Sequence, residues 1–144
     1  MAESDQAAVA VAFKVTIDGQ SLGFFTACDG LGCEITIEQK EEGGNLAFIH
    51  QLPGRVKFTN VKLTRVVNQQ DADKVPKWIT KMAAEGVKRT TGVIEATTAE
   101  GQSVAKWSLQ GVIPVRWTGP SLGVETNKVA TETLELAHHG FLAV

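Results

Sequence analysis

A mainly β fold of antiparallel strands flanked by a single α-helix is what this sequence predicts, on three observations. Apolar and polar residues alternate with a period of two in several separate stretches. The dipeptides Asp18-Gly19 and Glu100-Gly101 supply tight turns between such stretches. Only one segment places its apolar residues at helical spacing. The class is therefore α+β dominated by strand, an antiparallel β-sandwich or barrel-like arrangement with one helix packed on it.

In chain order, residues 1–11 are small or acidic and show no alternation, which predicts a flexible arm before a single domain over residues 12–144. Phe13, Val15 and Ile17 alternate with Lys14, Thr16 and Asp18, turn at Asp18-Gly19, and return through Leu22 to Phe25 as a hairpin. After a connection over 26–32, Cys33, Ile35 and Ile37 face one way in a long strand while Glu34, Thr36, Glu38 and Lys40 face the other. The stretch from Gly43 to Gly54 has neither period yet carries Leu46, Phe48, Ile49 and Leu52, so it reads as a long loop whose apolar residues need a cover. Another strand is expected from Val56 to Val67, with Val61 and Leu63 opposite in facing to Lys62 and Thr64.

The helix is marked by Val75, Trp78, Ile79, Met82 and Ala83 on one stripe. Asp71 or Asp73 can cap its start, Pro76 is tolerated in the first turn, and Gly86 suits its end. A second hairpin joins Gly92–Thr98 to a strand carrying Ala105, Trp107 and Leu109. A separate strand follows, in which Ile113, Val115 and Trp117 alternate with Pro114, Arg116 and Thr118 until Gly119-Pro120 stops it. The last strand runs from Val129 to His139, with Ala130, Leu134 and Leu136 on one face and Thr131, Thr133 and Glu135 on the other. About six to eight strands result.

With 144 residues and 43% of them hydrophobic, the chain can bury one core. A formal net charge of −2 provides no basic field, which argues against binding a nucleic-acid backbone and against sequence-specific nucleic-acid recognition. The N-terminus lacks the basic segment of a secretory signal and no stretch has the apolar length of a membrane span, so the expected product is soluble, cytoplasmic and without membrane insertion of its own.

No catalytic, cofactor or metal constellation emerges. Cys28 and Cys33 lack the companions of a zinc site and read as buried or inert thiols; His138 and His139 are adjacent and point to opposite faces of a strand, with His50 far off. The glycine-rich stretches EEGGN, DGLG and TGPSLG lack the spacing of phosphate-binding loops and read as turns. Lys57, Lys62 and Arg65 read as a solvated face or one side of subunit ion pairs, and Trp78, Trp107 and Trp117 as core.

Three segments, LPGRVKFTN (Leu52 to Asn60), VIPVRWTGPSL (Val112 to Leu122) and NKVATETLELAHHGF (Asn127 to Phe141), together resemble the tail-tube proteins of contractile phage tails and phage-derived contractile injection systems. The resemblance spans about Phe13 to Leu142 and departs at His139, where members often carry Glu. It implies a non-enzymatic structural subunit without cofactor, forming hexameric rings stacked into a hollow inner tube within a contractile sheath. The implied partners are further copies of itself, sheath subunits, baseplate hub and tube-terminating proteins, and a lumen cargo or tape-measure protein. A tube-initiating baseplate paralogue is the alternative within the family, and a monomeric small-ligand-binding β-barrel the alternative outside it. On this reading Leu46, Phe48, Ile49, Leu52 and Arg55 are candidates for contacts between subunits. Glu34, Thr36 and Glu38, with Thr131, Thr133 and Glu135, are candidates for the lumen face.

Overall fold

The computed structural model describes residues 9–40, 43–44, 47, 49–123 and 130–142. Among these residues nine strands and one helix follow in the order β1 (Ala12–Ile17), β2 (Gln20–Phe25), β3 (Ala27–Asp29), β4 (Cys33–Lys40), β5 (His50–Phe58), β6 (Val61–Val66), α1 (Lys74–Glu85), β7 (Thr90–Thr97), β8 (Ser103–Thr118) and β9 (Thr131–Ala137). All pairings are antiparallel.

The first hairpin forms because Asp18 and Gly19 both adopt positive φ, 52° and 75°, the conformation a two-residue hairpin turn demands. Its alternating residues Val15 and Ile17, with Leu22 and Phe25, are fully or almost fully buried. Seven strands form one sheet in the order β2-β1-β7-β8-β9-β6-β3. The strands at its two ends are consecutive in the chain, and the Thr26 N–H between them donates to Thr64 O at 2.9 Å, so the sheet curls toward closure like a small barrel. The interior is filled by Val15, Ile17, Leu22, Phe25, Val61, Leu63, Ile94, Leu109, Val112, Leu134 and Leu136, with Trp107 and Trp117 packed against it.

Helix α1 lays Val75, Trp78 and Met82 on this core, keeps Ile79 partly buried and exposes Ala83. Pro76 falls in its first turn, where no intrahelical donor is needed. Asp73 occupies the N-cap position but makes no capping bond; its carboxylate pairs instead with Lys77 one turn on, at 2.7 Å.

Several boundaries differ from those expected: the connection over 26–32 contains strand β3, and the described residues form nine strands where six to eight were expected. The strand read as Val56–Val67 is broken at Thr59-Asn60 into β5 and β6, and residues 50–54 of the supposed loop are strand paired with β4. The segments around Trp107 and Trp117 are one 16-residue strand, β8, which runs on through Gly111, at φ 64°, where the register with β7 slips between Leu109 and Val112. Its first half pairs with β7 and its second with β9. The register shifts between Pro114 and Arg116, so Val115 is half exposed and Ile113 lies opposite Ala137 rather than in phase with Trp117. An extra residue reverses facing on one side of a bulge, which alternation alone does not reveal.

Gly30, at φ 90°, passes so close to Asn60 that an added Cβ would stand 2.1 Å from the carbonyl oxygen. Gly101, at φ 85°, has nothing within 4 Å of the same position. Thermal unfolding of the two alanine variants is expected to separate them: Gly101→Ala loses about 1–2 kcal/mol to backbone strain, Gly30→Ala about 3 kcal/mol or more because main chain must also move.

Candidate functional site

Four strands, β3, β6, β9 and the second half of β8, form a sheet region with two chemically distinct faces. Inward, Cys28, Leu63, Leu134 and Trp117 stand opposite one another in register. One step along, the outward residues in the same cross-strand order are Asp29, Lys62, Glu135 and Arg116, so the sign of charge alternates across all four strands. The outward row on the other side of the apolar one is Ala27, Thr64, Thr133 and Thr118, with Thr131 opposite Val66 beyond it. Glu135 accepts from Asn60 Nδ2 at 3.2 Å. Among the described residues Arg116 makes neither hydrogen bond nor ion pair.

Strands β4 and β5 continue from β3 and β6 as a two-stranded ribbon. Thr59 clamps its base, donating to Gly32 O through both N–H (3.2 Å) and Oγ1 (2.9 Å). Every residue of β4 is exposed. One ribbon face carries Ile35, Ile37 and Val56, exposed by 50%, 53% and 49%; on the other, Glu34 opposes Lys57 and Glu38 opposes Leu52. The sides stay distinct although the register slips between Ile35 and Ile37, near Gly54, whose bare Cα lets Thr36 O approach. A cleft of about 480 Å³ at the ribbon's base is lined by Lys57 together with Asp29, Lys62 and Glu135. Phe58, Thr59 and Asn60 line the same cleft, which lies where the ribbon meets the charged sheet face.

Residues 9–142 match the family of the T4-like virus tail tube protein gp19. The chain belongs to that family. As a tail-tube protein it is a structural subunit of a tube, and solved structures share its fold. The PVC sheath-tube complex of an extracellular contractile injection system in its extended state aligns with a TM-score of 0.79 at 19% identity, over 98% of this chain and 93% of that one. The baseplate structure of the anti-feeding prophage gives 0.74 at 22% identity, over 95% of each chain. Hcp1 from Salmonella typhimurium gives 0.54 at 15% identity, over 90% of this chain and 83% of that one. No sequence among the curated proteins matches. No helix of the described residues is long and apolar enough to cross a membrane.

In this tail-tube protein Glu34, Thr36 and Glu38 lie on the polar face of the ribbon, while Thr133 and Glu135 lie on the charged sheet face, with Thr131 farther along β9 in the same phase. Ile49 and Leu52 are each 45% exposed and Arg55 is exposed on β5, whereas Leu46 and Phe48 lie outside the described residues. Leu52 stands opposite Glu38 on the polar side of the ribbon, apart from Ile35 and Ile37. Cys33 is exposed rather than buried, as the first residue of an uncovered strand; burial, and then Asp29, pushes the Cys28 thiol up to about 11. His138 is buried against Phe58 and Phe141, accepts from Gly140 N–H at Nδ1 and lies 3.1 Å from Thr59 O at Nε2, which fits the tautomer protonated at Nε2.

Arg65 is the main departure from expectation. It is 1% exposed and forms an ion pair with Glu132, itself 2% exposed and directly opposite on β9. The guanidinium also donates to Leu22 O on β2 and, at 2.8 Å, to Asp71 O ahead of α1, and lies 4.4 Å from the Phe25 ring centre. Glu132 accepts from Trp117 Nε1 at 3.1 Å. Asp71 is held in turn by Asn68 and Lys74; burial opposes its charge, but these partners and Arg65 outweigh it and keep the carboxyl below the usual range.

Removing one member of the Arg65–Glu132 pair strands a buried charge. Glu132→Ala is expected to lose about 3–5 kcal/mol in denaturant unfolding, and Arg65→Met with Glu132→Leu distinctly less than that single change. Equal losses from the single and double variants would refute the pairing.

Proposed function

We propose that this protein is the repeating subunit of the inner tube of a contractile injection system or phage tail. Copies form hexameric rings stacked head to tail into a hollow conduit that sheath contraction drives through a target envelope. The observation that carries this reading is the β4–β5 ribbon. A two-stranded ribbon with both faces in water is marginal by itself, and its open row of Ile35, Ile37 and Val56 calls for cover by another molecule. In a repeating assembly the next copy supplies that cover. The segment from Gly43 through Ile49, Leu52 and Arg55, including Leu46 and Phe48, then contacts a neighbouring ring. The polar surface of Glu34, Thr36, Glu38, Thr131, Thr133 and Glu135 faces the lumen.

Four strands from each of six copies would close a barrel far wider than the roughly eight strands that side chains can fill, leaving an open channel. The remaining partners follow from this placement: sheath subunits outside, baseplate hub and tube-terminating proteins at the ends, and a cargo or tape-measure protein within. Residues 1–11 serve as an arm ahead of the tube domain, and assembly takes place in the cytoplasm.

Size-exclusion chromatography and negative-stain microscopy of the purified protein are expected to show rings or tubes; a strictly monomeric protein across concentrations would sink the reading. Ile35→Asp with Ile37→Asp is expected to leave thermal unfolding of the free subunit within about 1 kcal/mol, since both positions are already half exposed, while abolishing tubes. Thr133→Cys in assembled tubes is expected to react with small maleimides and resist bulky ones, and equal labelling by both would displace the lumen assignment.

A further inference from the structure

Among the described residues both ends of the four-stranded region are open. The second half of β8 pairs with β9 on one side and with no strand on the other, since its pairing to β7 stops at Val112. At the opposite end β3 is the last strand of its sheet and β4 pairs only with β5. Free strand edges invite another strand, and charged residues on them decide which one. The outward residue in mid-edge on β8 is Arg116; the outward residues along the β3–β4 edge include Asp29, Glu34 and Glu38, all exposed.

We propose that Arg116 on the β8 edge of one copy pairs with the acidic β3–β4 edge of the next, so that charge selects head-to-tail joining around the ring. This rests on the tube reading and adds the contact that orders its subunits. Two parities agree on it. Strand direction alternates across β3, β6, β9 and β8, and four is even, so a copy related by rotation about an axis along the strands brings an antiparallel β3–β4 against β8. Charge alternates across the same strands from Asp29 to Arg116, so the same rotation continues acid, base, acid, base through the junction. A two-fold arrangement that puts β8 against β8 sets Arg116 near Arg116, and one that joins the other edges sets acid against acid. Like charges in facing positions disfavour both closed dimers. Among the described residues Arg116 has no hydrogen-bond or ion-pair partner to give up.

Charge reversal in the full chain tests this, with tubes counted by negative-stain microscopy. Arg116→Glu is expected to keep the subunit's thermal unfolding and to lower tube yield about tenfold or more. Combining it with Asp29→Lys, Glu34→Lys or Glu38→Lys is expected to restore tubes in at least one case, and the restoring position names the partner. Lys62→Glu, inside the row, leaves the junction signs alone and is expected to assemble. Full assembly of Arg116→Glu overturns the pairing, as does its failure to be rescued by any of the three reversals. If Arg116→Glu does not fold, Arg116→Lys should assemble and Arg116→Met should not; equal assembly by those two also overturns it. Absence of tubes from the unaltered protein refutes the tube reading itself.

Discussion

A guanidinium in a hydrocarbon interior is tolerated where its nitrogens find acceptors, and each of the three in Arg65 finds one, on separate parts of the chain. Glu132 reaches it from β9, Leu22 from β2, and Asp71 from the segment that leads into α1. These elements surround the place where the curled sheet comes closest to closing. No buried side-chain polar atom among the described residues lacks a partner. Hydrophobic burial supplies most of the driving force for such a fold but is indifferent to small changes in how the layers sit. A directional cluster anchored on one cation restricts them to one arrangement, and Trp117, bonded to Glu132, extends that restriction into β8.

The strands were legible wherever each side of the period-two pattern met a single environment. β1, β6 and β9 show this: Val15 and Ile17, Val61 and Leu63, Leu134 and Leu136 are all buried as their alternation requires. Arg65 and Glu132 were less legible because charge in a strand is ordinarily read as outward. Their phase carried the signal: Arg65 follows Val61 and Leu63 at two-residue steps, and Glu132 precedes Leu134 and Leu136 in the same way. Two opposite charges, each in the inward phase of a separate strand, constitute a readable hint of a buried pair. The union of two segments in β8 and the slip at Val115 had no such hint, since a lone Gly111 and Pro114 are equally compatible with a turn.

Most of the candidate surface could be placed from alternation, since Thr131, Thr133 and Glu135 lie in one phase of β9 and Glu34, Thr36 and Glu38 in one phase of β4. What alternation could not supply is how the two sets are placed, which depends on β3–β6 running on into β4–β5 around a cleft lined by Lys57, Phe58, Lys62 and Glu135. The sign pattern of that surface is likewise a property of register. Asp29, Lys62, Glu135 and Arg116 are scattered over the chain, and only the pairing of four strands sets them in line.

The length of β8 has a mechanical side. One uninterrupted strand holds β7 along its first half and β9 along its second, so both ladders hang on a single covalent rod. A pull along that rod strains many parallel hydrogen bonds together, whereas a pull across it would open them one after another, beginning at an end. The subunit is thus stiffest along β8 and most easily peeled at its margins. Gly111, the one glycine in the rod, sits where responsibility passes from one ladder to the other.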